Sequence, residues 1–379
     1  MHLYLHIPFC KQACHYCDFY FSTNLKSKGE LVAAICRELE LQRHYLPTPQ
    51  LETIYLGGGT PSILSEAEFG QIFETIHRVY EVKKQAEITI EANPDDLSQD
   101  KLRVLRAFGN RLSIGIQSFY EPYLKRMNRA HTAQESQMCV KRAQDAGFEN
   151  LTIDLMYGVW QQTGQSTDAN QIWQQDLEQA VALQVPHISS YNLTIEPQTA
   201  FGKWLKKGEI LPIDEELSVQ QFEKLIAELT THGYEHYEIS NFAKPGHYAR
   251  HNSSYWKRRP YLGIGPSAHS FNGHSRQYNV ANNAQYIKAL QAGKLPFERE
   301  ELSRFDQVND YLLTSLRTMW GCDLRTIRAI LGETPPLSFQ KAMAEMQQKS
   351  WLKLEDDVLH LTPQGKLFAD RAASNLFLV

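Results

Sequence analysis

The feature that most restricts the fold is a regular alternation, between residues 50 and 240, of short β-branched runs with stretches of helical period. "ETIYLG" (52–57) precedes a helix pattern from Ser65 to about Val79, and "EITIEAN" (87–93) precedes one beginning at Ser98. "RLSIGIQ" (111–117) and "LTIDLMYG" (151–158) follow with their helices, then "HISSYNL" (187–193) before a helix from about Asp214 to His232. Leu3, Leu5 and Ile7 mark one more strand at the start, ended by Pro8. Alternation of this kind predicts a parallel sheet with right-handed crossovers. Six β/α units fall short of the eight that close a barrel, so the expected fold is α/β, a partial (β/α)6 TIM-like barrel with a lateral opening.

Polar residues collect at the predicted carboxyl ends of these strands, the face where barrels carry their sites: Gly57-Gly58-Gly59-Thr60, Glu91, Gln117, Asp154 and Tyr191-Asn192. Each alone has a plain structural use as a helix cap or tight turn. Together they form a ring around one axis. The glycine run lets backbone groups approach a ligand closely. It lacks the lysine of a P-loop and is not GxGxxG, which disfavours nucleoside triphosphates and dinucleotides.

On the loop after the first strand, Cys10, Cys14 and Cys17 place three of the chain's six cysteines within eight positions. Such spacing allows one loop to wrap three corners of a cubane iron–sulfur cluster and leave the fourth iron open, as catalysis or substrate chelation requires. The alternative is a structural zinc completed by His6 or His15. Cys36, Cys139 and Cys322 read as small buried hydrophobes, since no basic n-region precedes Cys10 and reducing cytoplasm is the expected compartment. A net charge of −4 gives no general pull toward nucleic acid or anionic lipid.

Cys10-x3-Cys14-x2-Cys17, with Tyr16 before the last cysteine, resembles the motif of the radical S-adenosylmethionine (SAM) superfamily. "YLHIPFC", "GGGTPS", "EANP", "IQSF" and "YGVW", in that order, narrow the resemblance to the branch that holds oxygen-independent coproporphyrinogen III oxidases and the HemW heme chaperones. The resemblance implies a radical SAM fold and a [4Fe-4S] cluster on Cys10, Cys14 and Cys17. It also implies SAM chelating the open iron and cleaved by electron transfer to a 5′-deoxyadenosyl radical. Tyr4, Tyr16, Gly57, Gly58, Thr60, Glu91, Gln117, Arg129 and Asp154 would surround SAM.

Two features move the reading from oxidase toward chaperone. The oxidases carry a fourth cysteine two positions after the third and a longer N-terminal segment, whereas position 19 here is Phe and the sequence opens on the first strand. "HNSSYW" (251–256) is similar to the HNxxYW motif of the HemW family. Heme is then a ligand, with His251 as the leading axial candidate, Tyr255 and Trp256 as flat apolar surfaces, and Lys257, Arg258 and Arg259 as partners for propionates. His269 competes for the iron. Heme-accepting proteins such as membrane respiratory enzymes would be the partners, any membrane contact coming through them; a homodimer is left open. Oxidative decarboxylation of coproporphyrinogen III is the rival activity.

The expected organisation is a core over residues 1–235, a connecting segment over 236–300 carrying "HNSSYW", and a small C-terminal α+β unit over 301–379. In that unit, helical patterns at 305–320 and 323–331, a hairpin turning at Asp356-Asp357 and a helix from Gln364 read as winged-helix-like. Nine Lys or Arg against ten Asp or Glu from residue 301 onward leave no phosphate-binding footprint, so nucleic acid is not an expected partner. The chain departs from the resemblance at "VWQQTGQS" (159–166), "EPQT" (196–199) and Ser267, which bear on the pocket's shape.

Overall fold

The computed structural model describes residues 1–159 and 168–378, so the altered stretch 159–166 lies outside the described residues from 160 onward. Six parallel strands stand side by side in chain order: β1 (His2–Ile7), β2 (Gln50–Gly58), β3 (Glu81–Ala92), β4 (Arg111–Gln117), β5 (Asn150–Tyr157) and β6 (His187–Asn192). This parallel sheet, with its helices, is a partial TIM-like barrel. The two-residue period of β1 explains why it works as a wall. Leu3, Leu5 and Ile7 are fully buried in the main apolar core with Leu31, Ile35 and Phe69 of the flanking helices, Lys28–Leu41 and Glu66–Val79. His2, Tyr4 and His6 alternate with them on the other face, where His2 bonds Thr53 and Tyr4 bonds His6.

Helix starts follow the sequence closely. Ser65 and Glu68 form a capping box at Glu66–Val79, Ser98 caps Gln99–Phe108, and Asp214 caps Glu215–Thr231. Each side chain accepts from a backbone N–H that the first turn leaves without a partner.

The sheet extends beyond the six expected units. β7 (Glu235–Glu238) and β8 (Asn241–Ala243) pair antiparallel with each other and onto β6. At the opposite edge β9 (Tyr261–Ile264) adds parallel to β1. β10 (His269–Phe271), β11 (Ser275–Asn279) and β12 (Phe297–Glu301) continue antiparallel outward. Residues 236–300 therefore supply strands to both edges of the sheet and are not a plain connector. These strands are three to five residues long, too short for hydrophobic alternation to mark them in the sequence.

The last 78 residues or so form a second apolar core around Val308, Leu312, Leu316, Ile327, Phe339 and Leu359. β13 (Cys322–Asp323), β14 (Leu352–Glu355) and β15 (Val358–Leu361) make a small antiparallel sheet in the order β13-β15-β14. The hairpin turns at Asp356 and Asp357, both left-handed with φ of 49° and 67°, the pairing a two-residue type I′ turn needs. An unexpected helix, Leu337–Gln348, precedes it. Arg317 anchors this unit to the sheet edge by donating from Nε to Glu238, a fully buried carboxylate, at 3.0 Å. Among the described residues no helix is long and apolar enough to cross a membrane.

Candidate functional site: a thiol-rimmed cavity at the strand ends

A cavity of about 540 Å3 opens at the carboxyl ends of β2 to β6. Of the residues assigned to it from sequence, Tyr16, Cys17, Gly58, Thr60, Glu91, Gln117, Arg129 and Asp154 line it, together with Tyr191 and Asn192. Cys10 and Cys14 stand at its rim through lining residues: Thr60 Oγ1 donates to Cys10 Sγ, and Arg129 Nη1 to Cys14 Sγ, both at 3.4 Å. Gly57 lies behind the lining, against Tyr55 and Glu91, and Tyr4 faces a different cavity.

The cysteine loop is fixed at several points. Phe9 bridges Ser22, Gln12 Nε2 donates to Asn128 Oδ1 while Asn128 Nδ2 donates to the Ala13 carbonyl, and Lys11 pairs with Asp95 and Asp96 beyond β3. The three cysteines are thus held mainly by the backbone and charges around their loop. Burial pushes the Cys10 and Cys17 thiols up to about 11 and about 12. Thiolates there need a positively charged centre beside them, which a metal cluster supplies. No group of three His, Cys, Asp or Glu side chains among the described residues converges on a single ion. Of the two histidines offered to zinc as a fourth ligand, one is taken and the other keeps Nε2 without a hydrogen bond among the described residues. Both ring nitrogens of His6 are engaged, by Tyr4 and the Tyr20 carbonyl; His15 bonds the Arg126 carbonyl through Nδ1 and packs edge-on against Trp204.

Two carboxylates at the strand ends face this cavity. Glu91 accepts from Tyr55 Oη at 2.7 Å and from the Gly58 backbone at 3.2 Å, yet burial lifts its pKa to about 7, with Asp154 adding to the rise. Asp154 is raised to about 6 by burial, against the opposing pull of Ser189, Arg111 and Arg129. Such acids favour a cation or hydroxyl donors that would let them ionise. Arg129 stands opposite, bonded to Asn93 Oδ1 at 2.7 Å and to the Gly115 carbonyl, with its Nε lacking a partner among the described residues. Gln117 sits at φ 71° where β4 slips register against β5. A non-glycine residue held there is strained, and strain of this kind gathers at functional sites.

The glycine run has a reason other than the expected one. A Cβ on Gly57 would meet Tyr55 and Glu91, one on Gly58 would strike the His6 ring at 2.5 Å, and one on Gly59 would strike the Phe9 backbone at 2.7 Å. The space is filled by the chain itself, so the glycines let the cysteine loop and Glu91 close on β2. Asn93, which holds both Arg129 and Thr60, was missed by sequence reasoning, although its place at the end of β3 before Pro94 was the available signal.

His251 is corrected by its surroundings. It lies on the helix Arg250–Trp256, 1% exposed, with Nδ1 bonded to Thr53 Oγ1 at 2.6 Å and Nε2 to Tyr255 Oη at 2.7 Å. Burial drives its pKa well down and keeps the ring neutral. With both nitrogens taken inside the barrel wall, it offers no lone pair to an iron outside it. Tyr255 and Trp256 do reach a surface. They line a second cavity, of about 580 Å3, that shares only Asp18 and Phe19 with the first. Lys257 stacks over Trp320, and Arg258 faces the second cavity.

Three loop-borne thiols over half-buried strand-end acids, on a parallel barrel left incomplete, define a radical SAM protein, and residues 4–167 match the family model for the Radical SAM superfamily. A solved structure of coproporphyrinogen III oxidase (HemN) from Escherichia coli shares the fold, with a TM-score of 0.84 at 22% identity over 99% of this chain and 89% of that one. The heme chaperone HemW of Bacillus subtilis (strain 168) is 33% identical over 97% of this chain and 96% of its own length. HemW of Lactococcus lactis is 34% identical over 96% and 93%, and that of Escherichia coli (strain K12) 39% over 70% and 69%. The chain belongs to the HemW heme chaperone family.

Proposed function

We propose that this protein is a heme chaperone that holds a [4Fe-4S] cluster and SAM in the strand-end cavity, binds heme, and passes it to target hemoproteins such as respiratory enzymes. The observation that carries the cluster and SAM is the thiol trio beside two half-buried acids with raised pKa. Cys10, Cys14 and Cys17 would hold three irons, leaving one for the amino and carboxylate groups of SAM. When bound, the cluster supplies an electron to SAM. The chain's own residues would do the rest: Glu91 and Asp154 accept from the amino N–H groups or ribose hydroxyls, and Arg129 pairs with the carboxylate. Phe19 supports the chaperone reading, because it stands where the oxidases carry a fourth cysteine.

Anaerobic reconstitution tests the proposal. Iron and sulfide bound in cluster stoichiometry, a heme band on titration, and no turnover of coproporphyrinogen III with SAM are the expected results. Protoporphyrinogen formed from that substrate would replace the chaperone reading with the oxidase.

A further inference from the structure

The second cavity lies between the helix Arg250–Trp256, β9 to β11 and the start of the C-terminal unit. Its walls are aromatic: Tyr255 and Tyr261 pack edge-on at 4.6 Å between ring centres, with Phe271 beyond. The indole N–H of Trp256, also on the wall, has no hydrogen-bond partner among the described residues. A volume of about 580 Å3 falls in the range of roughly 300–1,000 Å3 typical of sites for cofactor-sized molecules.

Two further observations mark this cavity as a built site. Arg258 and Ser267, both on its lining, hold left-handed backbone at φ 50° and 63°, a conformation that costs non-glycine residues energy and persists where the surroundings impose it. Arg258 is braced by donating to the Gln307 carbonyl at 2.6 Å and by lying over the Phe271 ring. Arg276 is aimed at the same space from β11, balanced by Asp310 and Glu300. Charge and flat apolar surface thus occur together, the pairing that a planar macrocycle with carboxylate side chains requires.

His269 supplies what His251 does not. It opens β10 on the cavity lining and is exposed, and neither ring nitrogen forms a hydrogen bond among the described residues. The titratable groups around it are Arg276 and Tyr278 on the neighbouring β11, Glu300 on β12 beyond it, and His6 across the cavity. Burial and Arg276 lower its pKa against the pull of Glu300, so the ring is neutral near pH 7 and has a lone pair for iron.

Resting on the heme-chaperone reading above, we infer that the heme seat is this second cavity, with His269 as an axial ligand, the rings of Tyr255 and Trp256 against the macrocycle, and Arg258 and Arg276 near its propionates. His251 then acts as a positioning residue that fixes Tyr255 from behind through the 2.7 Å bond to its hydroxyl.

Ferric heme titrated into the full-length protein tests this by the absorption band and by electron paramagnetic resonance. His269→Ala is expected to shift the band, lose the histidine-ligated spin signal and weaken binding about tenfold or more. Added imidazole should restore the band, which a merely structural role for His269 would not allow. Tyr255→Phe, which cuts the link from His251, is expected to keep the ligation signal and weaken binding by a few-fold at most. An unchanged band and affinity in His269→Ala, with wild-type protein binding heme, would overturn the inference and leave the chaperone reading standing. Wild-type protein that binds no heme at all would overturn both.

Discussion

The two cavities meet at Asp18 and Phe19 and are otherwise made of opposite materials. The strand-end cavity is lined by ionisable groups held under strain of charge: thiols raised by burial, Glu91 and Asp154 raised toward neutrality, and Arg129 opposed to them. The second is lined by aromatic rings whose charged neighbours are already balanced, Arg276 by Asp310 and Glu300. On the proposed reading, one would be completed by a cluster and a zwitterion, and the other would receive a flat body that replaces water. Their supports differ in the same way. The strands of the first are long and parallel, while the second hangs on short edge strands that need a separate anchor.

That anchor is Glu38, in the helix Lys28–Leu41. Its fully buried carboxylate accepts from the Gly265 backbone N–H at 2.9 Å, from Asn279 Nδ2 at 2.8 Å and from Tyr286 Oη at 2.5 Å. Three donors from the segment around β9 to β11 are tied to one side chain, and none of this was visible as a motif. Burial raises its pKa, and the donors oppose that rise.

The sharpest way to separate the cavities is to empty one. Replacing Cys14 by Ala is expected to abolish the visible cluster, with iron and sulfide falling to near background after anaerobic reconstitution, while heme titration keeps its band. Loss of both ligands together would show that the cavities are one functional unit. Glu38→Ala attacks the other side. It leaves the Gly265 N–H and the Tyr286 hydroxyl without a partner and Asn279 with one acceptor of two, and is expected to cost about 3–5 kcal/mol in chemical denaturation, with heme affinity falling before cluster content does.

The acids give a smaller, pH-dependent test. Glu91 and Asp154 hold protons more tightly folded than unfolded, so the ligand-free protein should lose stability as pH rises from the ordinary carboxylate range through about 6 and about 7. For Glu91 alone that loss is on the order of 3 kcal/mol, and Glu91→Gln should flatten the profile of melting temperature against pH. Affinity for SAM should rise over the same interval, since ionised acids await its cationic groups. A melting profile unchanged by the substitution would mean that Glu91 is already ionised in the folded chain.

Phe19 is the smallest and most local test. At 71% exposed it contributes little to the core, so Phe19→Ala should leave stability within about 0.5 kcal/mol. Because its ring lines both cavities, the substitution should alter SAM and heme binding together by a few-fold, read by titrating each ligand in the presence of the other. Independent behaviour of the two titrations would assign Phe19 to one cavity only.

Much of the first cavity was legible in sequence because its residues stand at the ends of long strands with clear period. Cys10 to Cys17, Glu91, Gln117 and Asp154 could be placed on one face by counting alternation alone. Tyr4 came from the resemblance rather than from that count, and it shares its face of β1 with His6, where both line the second cavity. His251 was misplaced for a related reason. A motif gives neighbours along the chain, but burial of its ring is set by Thr53 on β2, 198 positions away.

By itself the sequence determined the parallel β/α core, its helix caps, the three-thiol loop and the hairpin at Asp356-Asp357, because each rests on interactions within a few residues or on a regular period. Only the tertiary structure decided that β9 to β12 extend the sheet beside β1, that Glu38 binds them there, and that His251 turns inward while His269 stays open. Those outcomes depend on which distant segments share a buried space, and local propensity carries no information about that.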